Sequence, residues 1–208
     1  PNAAQPMANY QGLAELNDSA DTLAEASAGL QILSDKLAEN GCTLVLDLTP
    51  GKDRIYREYM PDGYPIVNEE NRTDLLAAYL QSHTTVPVVW RYDMLRSQAR
   101  QNADRLLYYK TATHWNAAAL YASLPAEETY VVPGYDRMFE KDSRAVRVIG
   151  DSFSEYYMPY LQARFTNSWR EHIDTFTTDV AEHPGCDILI LEFNERSLDK
   201  LLAILEQF

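Results

Sequence analysis

Ala145-Val146-Arg147-Val148-Ile149-Gly150-Asp151-Ser152-Phe153 decides the fold. The β-branched apolar run reads as a buried strand, and Gly150-Asp151-Ser152 as the turn that ends it. A helix near Tyr156 to Arg164 would follow the serine. Downstream, Cys186-Asp187-Ile188-Leu189-Ile190-Leu191-Glu192-Phe193 reads as another buried strand, with a closing helix from Ser197 to Phe208. Upstream, Thr43-Leu44-Val45-Leu46-Asp47-Leu48 is a strand ended by Thr49-Pro50-Gly51, and Val86-Pro87-Val88-Val89-Trp90 is a second.

Helical spacing fills the gaps. Leu13, Leu16, Ala20, Leu23, Leu30, Leu33 and Leu37 share a face. Asp18 or Ser19 would cap a second segment within that stretch, and Asn40-Gly41 would stop it. Further helices are expected from Asn71 to Leu80, over 96–108 and from Ala117 to Tyr121, with an edge strand near Phe165–Trp169. Lys52 to Asn68 and residues 123–143 read as irregular. Strands alternating with helices imply a parallel sheet covered on both faces. The expected fold class is therefore α/β, a three-layer α/β/α sandwich with a mainly parallel sheet. It would form one domain over residues 1–208, with a helical segment, 1–40, packed on it.

Composition narrows the partners. The 208 residues carry a formal net charge of −13 at pH 7. Such a surface repels phosphate backbones, so no nucleic acid is expected as a partner. Apolar residues at 46% supply a core. The 14 tyrosines, 6 phenylalanines and 3 tryptophans suit cores and sugar rings alike. No apolar run approaches the 18 or more residues of a membrane helix. The start at Pro1-Asn2-Ala3 reads as that of a trimmed or mature domain, with any leader or anchor absent from this sequence.

The chemistry begins at Ser152. A serine hydroxyl becomes a useful nucleophile once a base takes its proton. His114, in Thr111-Ala112-Thr113-His114-Trp115-Asn116, is the candidate base; packing beside Trp115 is its structural alternative. His183 and Cys186 make only a weak match to metal-ligand spacing, so neither a metal nor a cofactor is expected.

Tyr109-Lys110-Thr111-Ala112-Thr113-His114-Trp115-Asn116 followed by Gly150-Asp151-Ser152-Phe153 resembles the alginate O-acetyltransferase (AlgX/AlgJ-type) family. Its members are SGNH-hydrolase-like proteins with permuted motif order. Thr49-Pro50-Gly51-Lys52 with Tyr56 is similar to the family's Pro-x-Lys segment. The resemblance implies an extracytoplasmic protein, periplasmic, cell-surface or secreted. It implies a polysaccharide substrate and an acetyl donor supplied by a membrane-bound acyltransferase. Ser152 would be the nucleophile and His114 the general base. Lys52 would contact substrate, as would Arg196; some of Tyr56, Tyr59, Tyr64, Tyr156, Tyr157 and Tyr160 would stack on sugar.

The departure is Ala112, where the family has an aspartate that orients the imidazole. Three explanations stand: an inactivating substitution, a natural non-catalytic relative, or another carboxylate, Asp93 or Asp47, filling the role in space. The permutation also implies that the strands at 43–48 and 187–193 are neighbours. Asn194 would then join the Ser152 backbone N–H as an oxyanion donor beside Asp151; its alternative is to cap the next helix. Cys42 and Cys186 would be close, either bonded or as two free thiols. Three readings remain: a Ser-His O-acetyltransferase or acetylesterase, a non-catalytic glycan- or partner-binding domain, and a plain α/β scaffold whose Ser152 and His114 lie apart.

Overall fold

A computed structural model describes residues 4–16, 19–102, 104, 106–122 and 141–208. Among these residues, five parallel strands form one sheet in the order β2-β1-β5-β3-β4. The strands are β1 (Thr43–Thr49), β2 (Val88–Trp90), β3 (Asp142–Gly150), β4 (Phe165–His172) and β5 (Ile188–Asn194). β1 and β5 are neighbours, as the permuted order implies, and Thr43 stands opposite Ile188 and Thr49 opposite Asn194. β4 is an edge strand, and most of the irregular span expected over 123–143 lies outside the described residues.

Side-chain alternation along the strands builds two cores. On one face Leu44, Leu46, Leu189, Leu191 and Ile149 meet the helices α2 (Ser19–Glu39), α4 (Arg72–His83) and α8 (Leu198–Leu205). On the other, Val148 and Ile190 meet α3 (Lys52–Ile55), α5 (Tyr92–Gln101), α6 (Ala117–Ala122) and α7 (Met158–Arg164). This is the expected three-layer arrangement. Helix α2 belongs to the first layer, and its Leu30, Leu33 and Leu37 are fully buried.

Two helix boundaries differ from the periodic pattern. The N-terminal segment is divided: α1 (Ala4–Gln11) ends at Gly12, whose φ of 71° turns the chain, and α2 starts at Ser19. Helix α5 begins at Tyr92, not near 96, because Arg91 is anchored to Asp47 at the end of β2 and the chain turns there. It ends at Gln101; the chain bends at Leu107, and Tyr108 leaves the helical path to bridge to Trp115. Asn71 opens α4 with a complete capping box, its side chain accepting from Thr73 and Asp74 while Asp74 accepts from the Asn71 backbone.

Candidate active site

β1, β5 and β3 end side by side, and their carboxyl ends hold the site. β3 stops at Gly150, and a 3-10 turn starts at Ser152. A side chain at 150 would bring a Cβ within 2.9 Å of Glu192 on β5 and 2.8 Å of Ser154. Only glycine lets the turn into Ser152 sit this close to the neighbouring strand. Asp151 sets the turn's shape. Its carboxylate accepts from the Phe153 backbone N–H at 2.9 Å, from the Asn194 N–H at 3.0 Å and from the Ser197 hydroxyl at 2.9 Å. Asp151 thus ties the end of β3 to the end of β5.

His114 arrives from the other layer. Tyr108 pairs with Trp115, and the Tyr109 N–H donates to the His114 carbonyl at 3.1 Å, closing a tight loop over 109–114. Trp115 is fully buried, and its indole N–H donates to the Phe153 carbonyl at 3.0 Å. The Tyr108 hydroxyl donates to Pro50 O at 2.7 Å. Lys52 closes the loop from outside, its ammonium donating to the carbonyls of Tyr109, Lys110 and Ala112 at 2.6, 2.9 and 3.1 Å. With the loop fixed at these points, His114 Nε2 lies 2.7 Å from Ser152 Oγ. The imidazole also rests 5.0 Å, centroid to centroid, from the Phe153 ring. An imidazole in hydrogen-bond contact with a serine hydroxyl can take its proton and return it to a leaving group.

The remaining expected residues have other partners. The Asn194 amide donates to Thr49 O and Pro50 O, both at 3.1 Å, and its oxygen accepts from the Arg196 N–H. Asn194 is therefore a buried cap and strap, and its donors are engaged away from Ser152. Arg196 pairs with Asp53 at 3.1 Å. Ala112 is exposed. Asp47 does not stand in for a carboxylate at position 112: it holds Arg91 and accepts from the Tyr157 hydroxyl at 2.7 Å. Asp93 lies exposed in the first turn of α5. Among the described residues no carboxylate contacts the His114 ring.

The tyrosines divide. Tyr157 is buried, as is Tyr56, whose hydroxyl accepts from the Leu107 N–H at 2.8 Å. Tyr59 is exposed, and half-buried Tyr156 lies 6.2 Å from the His114 ring. Behind Lys52 opens a cavity of about 580 Å³ bordered by Tyr56, Tyr59, Tyr108, Lys110 and Arg196. Lys110 of the 109–114 loop borders it, whereas Ser152 and His114 do not. No group of three or more His, Cys, Asp or Glu among the described residues is arranged to hold a metal ion.

Three residues outside the motifs support the ends of β3 and β1. Arg170 on β4 donates to Ser154 Oγ at 2.6 Å and to Asp151 O at 2.9 Å. Glu195 accepts from the Gly51 N–H at 2.6 Å and from the Asn71 amide at 3.1 Å, fixing the segment after β1. Glu192 is fully buried beneath Gly150 and accepts from the Thr49 hydroxyl at 2.9 Å. Burial, then the nearby Asp151 and Asp47 carboxylates, push its pKa well above the usual carboxylate range. Of the three, only Glu192 leaves a signal in the sequence, as a glutamate inside the apolar run Ile188–Phe193.

The family model described as "SGNH hydrolase-like domain, acetyltransferase AlgX" matches residues 10–130, more than half of the chain. The chain belongs to this AlgX acetyltransferase family. The match includes His114 and ends before Ser152. No curated protein matches the sequence. Solved structures share the fold over nearly the whole chain. The O-acetyltransferase domain of Pseudomonas putida AlgJ aligns with a TM-score of 0.63 at 16% identity, covering 93% of each chain. Bacillus cereus PatB1 with a sulfonyl adduct aligns at 0.58 and 11%, covering 87% of this chain and 92% of that one. Pseudomonas aeruginosa AlgX aligns at 0.58 and 14%, covering 88% of this chain and 60% of its own.

Proposed function

We propose that this AlgX-family chain is an extracytoplasmic polysaccharide O-acetyltransferase that works through an acyl-enzyme on Ser152. The contact of 2.7 Å between His114 Nε2 and Ser152 Oγ carries the reading. His114 takes the Ser152 proton as Oγ attacks the acetyl carbonyl of the donor, and the Ser152 backbone N–H binds the oxyanion. His114 returns the proton to the leaving group. A sugar hydroxyl then gives its proton to His114 and attacks the acyl-enzyme, and His114 passes that proton to the departing Ser152 Oγ, releasing the acetylated glycan and free Ser152; water in its place gives esterase activity. The acetyl donor would come from a membrane-bound acyltransferase. The cavity beside Lys52 offers the acceptor tyrosine rings and cationic side chains. No helix among the described residues is long and apolar enough to cross a membrane, which agrees with a domain working beside one.

Ala112 favours a second reading, a non-catalytic domain that binds glycan or a partner, because no described carboxylate orients the imidazole. Incubation with an activated acetyl ester, followed by intact mass and peptide mapping, separates the two. The enzyme reading expects an acetyl group on Ser152 that turns over and disappears in Ser152→Ala. An unmodified Ser152 with the protein folded would end that reading and leave the binding domain.

A further inference from the structure

The edge of the sheet opposite Ser152 holds the chain's two cysteines. Cys42 precedes β1 and Cys186 precedes β5, the two central strands paired in register. Each follows a glycine in the left-handed region, Gly41 with φ 72° and Gly185 with φ 66°. The two approaches therefore turn alike and deliver both side chains to one place. The thiols are free, and their sulfurs are 3.7 Å apart. Neighbouring strands lie about 4.8 Å apart, inside the Cα range that a disulfide spans. An S–S bond is about 2.05 Å long, so closure asks for an approach of about 1.6 Å, within reach of side-chain rotation.

We propose that Cys42 and Cys186 form a cross-linking site that a disulfide oxidant closes, with Cys186 as the entry thiol and Cys42 as the resolving one. Access sets the order: Cys186 is half-buried, whereas Cys42 is 2% exposed. Electrostatics agrees. The Cys42 hydrogen bond, and then the Arg147 guanidinium, hold the Cys186 thiol below its ordinary range against burial and Asp187. The same hydrogen bond and burial raise Cys42. The thiolate is the attacking species in exchange. Cys186 Sγ⁻ attacks one sulfur of an external disulfide and expels a thiolate. Cys42 then loses its proton and attacks Cys186 Sγ, expelling the second thiolate. Two protein thiols are oxidised to one disulfide, and the external disulfide is reduced to two thiols. The cross-link encloses the sequence from 42 to 186, which contains both His114 and Ser152. A loop this long restricts the unfolded chain strongly. The inference does not depend on the acyl chemistry.

The purified full chain, reduced and then equilibrated with excess oxidised glutathione, supplies the test. Thiol titration under denaturing conditions should fall from two thiols to none, and a non-reducing digest should contain the Cys42 peptide joined to the Cys186 peptide. The midpoint of thermal unfolding should rise by roughly 5–15 °C and return on adding dithiothreitol. Cys42→Ser should retain glutathione on Cys186, while native Cys186→Ser should leave Cys42 unmodified. Two titratable thiols after equilibration, or cross-links only between chains, would overturn the site. Glutathione on Cys42 in native Cys186→Ser would overturn the assigned order. The wild-type digest decides the bond even where a single variant fails to fold.

Discussion

Ala112 is the residue that bears most on the proposed activity. His114 contacts Ser152, and among the described residues no carboxylate reaches its ring to fix the tautomer or stabilise an imidazolium. Asp47 cannot be recruited without abandoning Arg91 and Tyr157 in the core. Ala112→Asp should therefore raise acetyl-ester turnover by roughly 10²- to 10⁴-fold, read in steady-state assays beside the wild type. A variant that folds and turns over no faster would show that orientation of His114 does not limit this chain. Glu192 makes a second prediction at this scale. As a neutral acid it accepts from Thr49 without adding a third buried charge beside Asp151 and Asp47. Its folded pKa is raised, so its stabilising contribution is full below the ordinary glutamate range and is lost as pH rises through the raised value. Glu192→Gln keeps a donor and an acceptor but cannot ionise. Unfolding by urea between about pH 5 and 9 should show the wild type losing stability faster than the variant toward high pH; parallel curves would place the proton elsewhere.

At the scale of elements, the site is two turns clamped by side-chain-to-backbone bonds. One turn follows β3 and is held by Asp151, Arg170 and Ser197; the other is the 109–114 loop, held by Lys52, Trp115 and Tyr108. Lys52 is the most telling clamp, because one ammonium satisfies three carbonyls that would otherwise splay. Lys52→Met should leave the strands intact, speed amide exchange across 109–114, and lower acylation of Ser152 by roughly 10- to 100-fold through misplacement of His114. Unchanged exchange with unchanged acylation would show that the loop stands without it. These clamps also mark the limit of what the residue order can say. Buried strands announce themselves as apolar runs, and the Ser152 and His114 motifs are paired by their resemblance to the family pattern. The partners of Lys52, Asn194 and Asp151 are backbone atoms brought in by the fold, and a backbone carbonyl leaves no letter in the sequence. Apolar Leu107 and Tyr108 extend the helical pattern past Gln101, although the fold uses Tyr108 to pair with Trp115.

For the whole molecule, the two cores have different duties. The layer of α3, α5, α6 and α7 contains the supports of the site, Tyr108, Trp115, Phe153 and Tyr157. The layer of α2, α4 and α8 lies on the other face and reaches the site through the strands and through Ser197 and Asn71, the residues that open α8 and α4. A parallel sheet five strands wide transmits little of a local packing defect to its far face, because register is fixed by the backbone ladder and not by any one side chain. Leu33 tests this division. It is fully buried in α2, and truncation to Ala removes its packing and leaves a cavity, at about 2–5 kcal/mol. Leu33→Ala should lower the midpoint of thermal unfolding by roughly 5–15 °C. Well below that midpoint, labelling of Ser152 by an activated acetyl ester should proceed at the wild-type rate. Slowed labelling in a fully folded variant would mean that the first layer sets the Ser152–His114 geometry, and that the sheet passes strain between its faces.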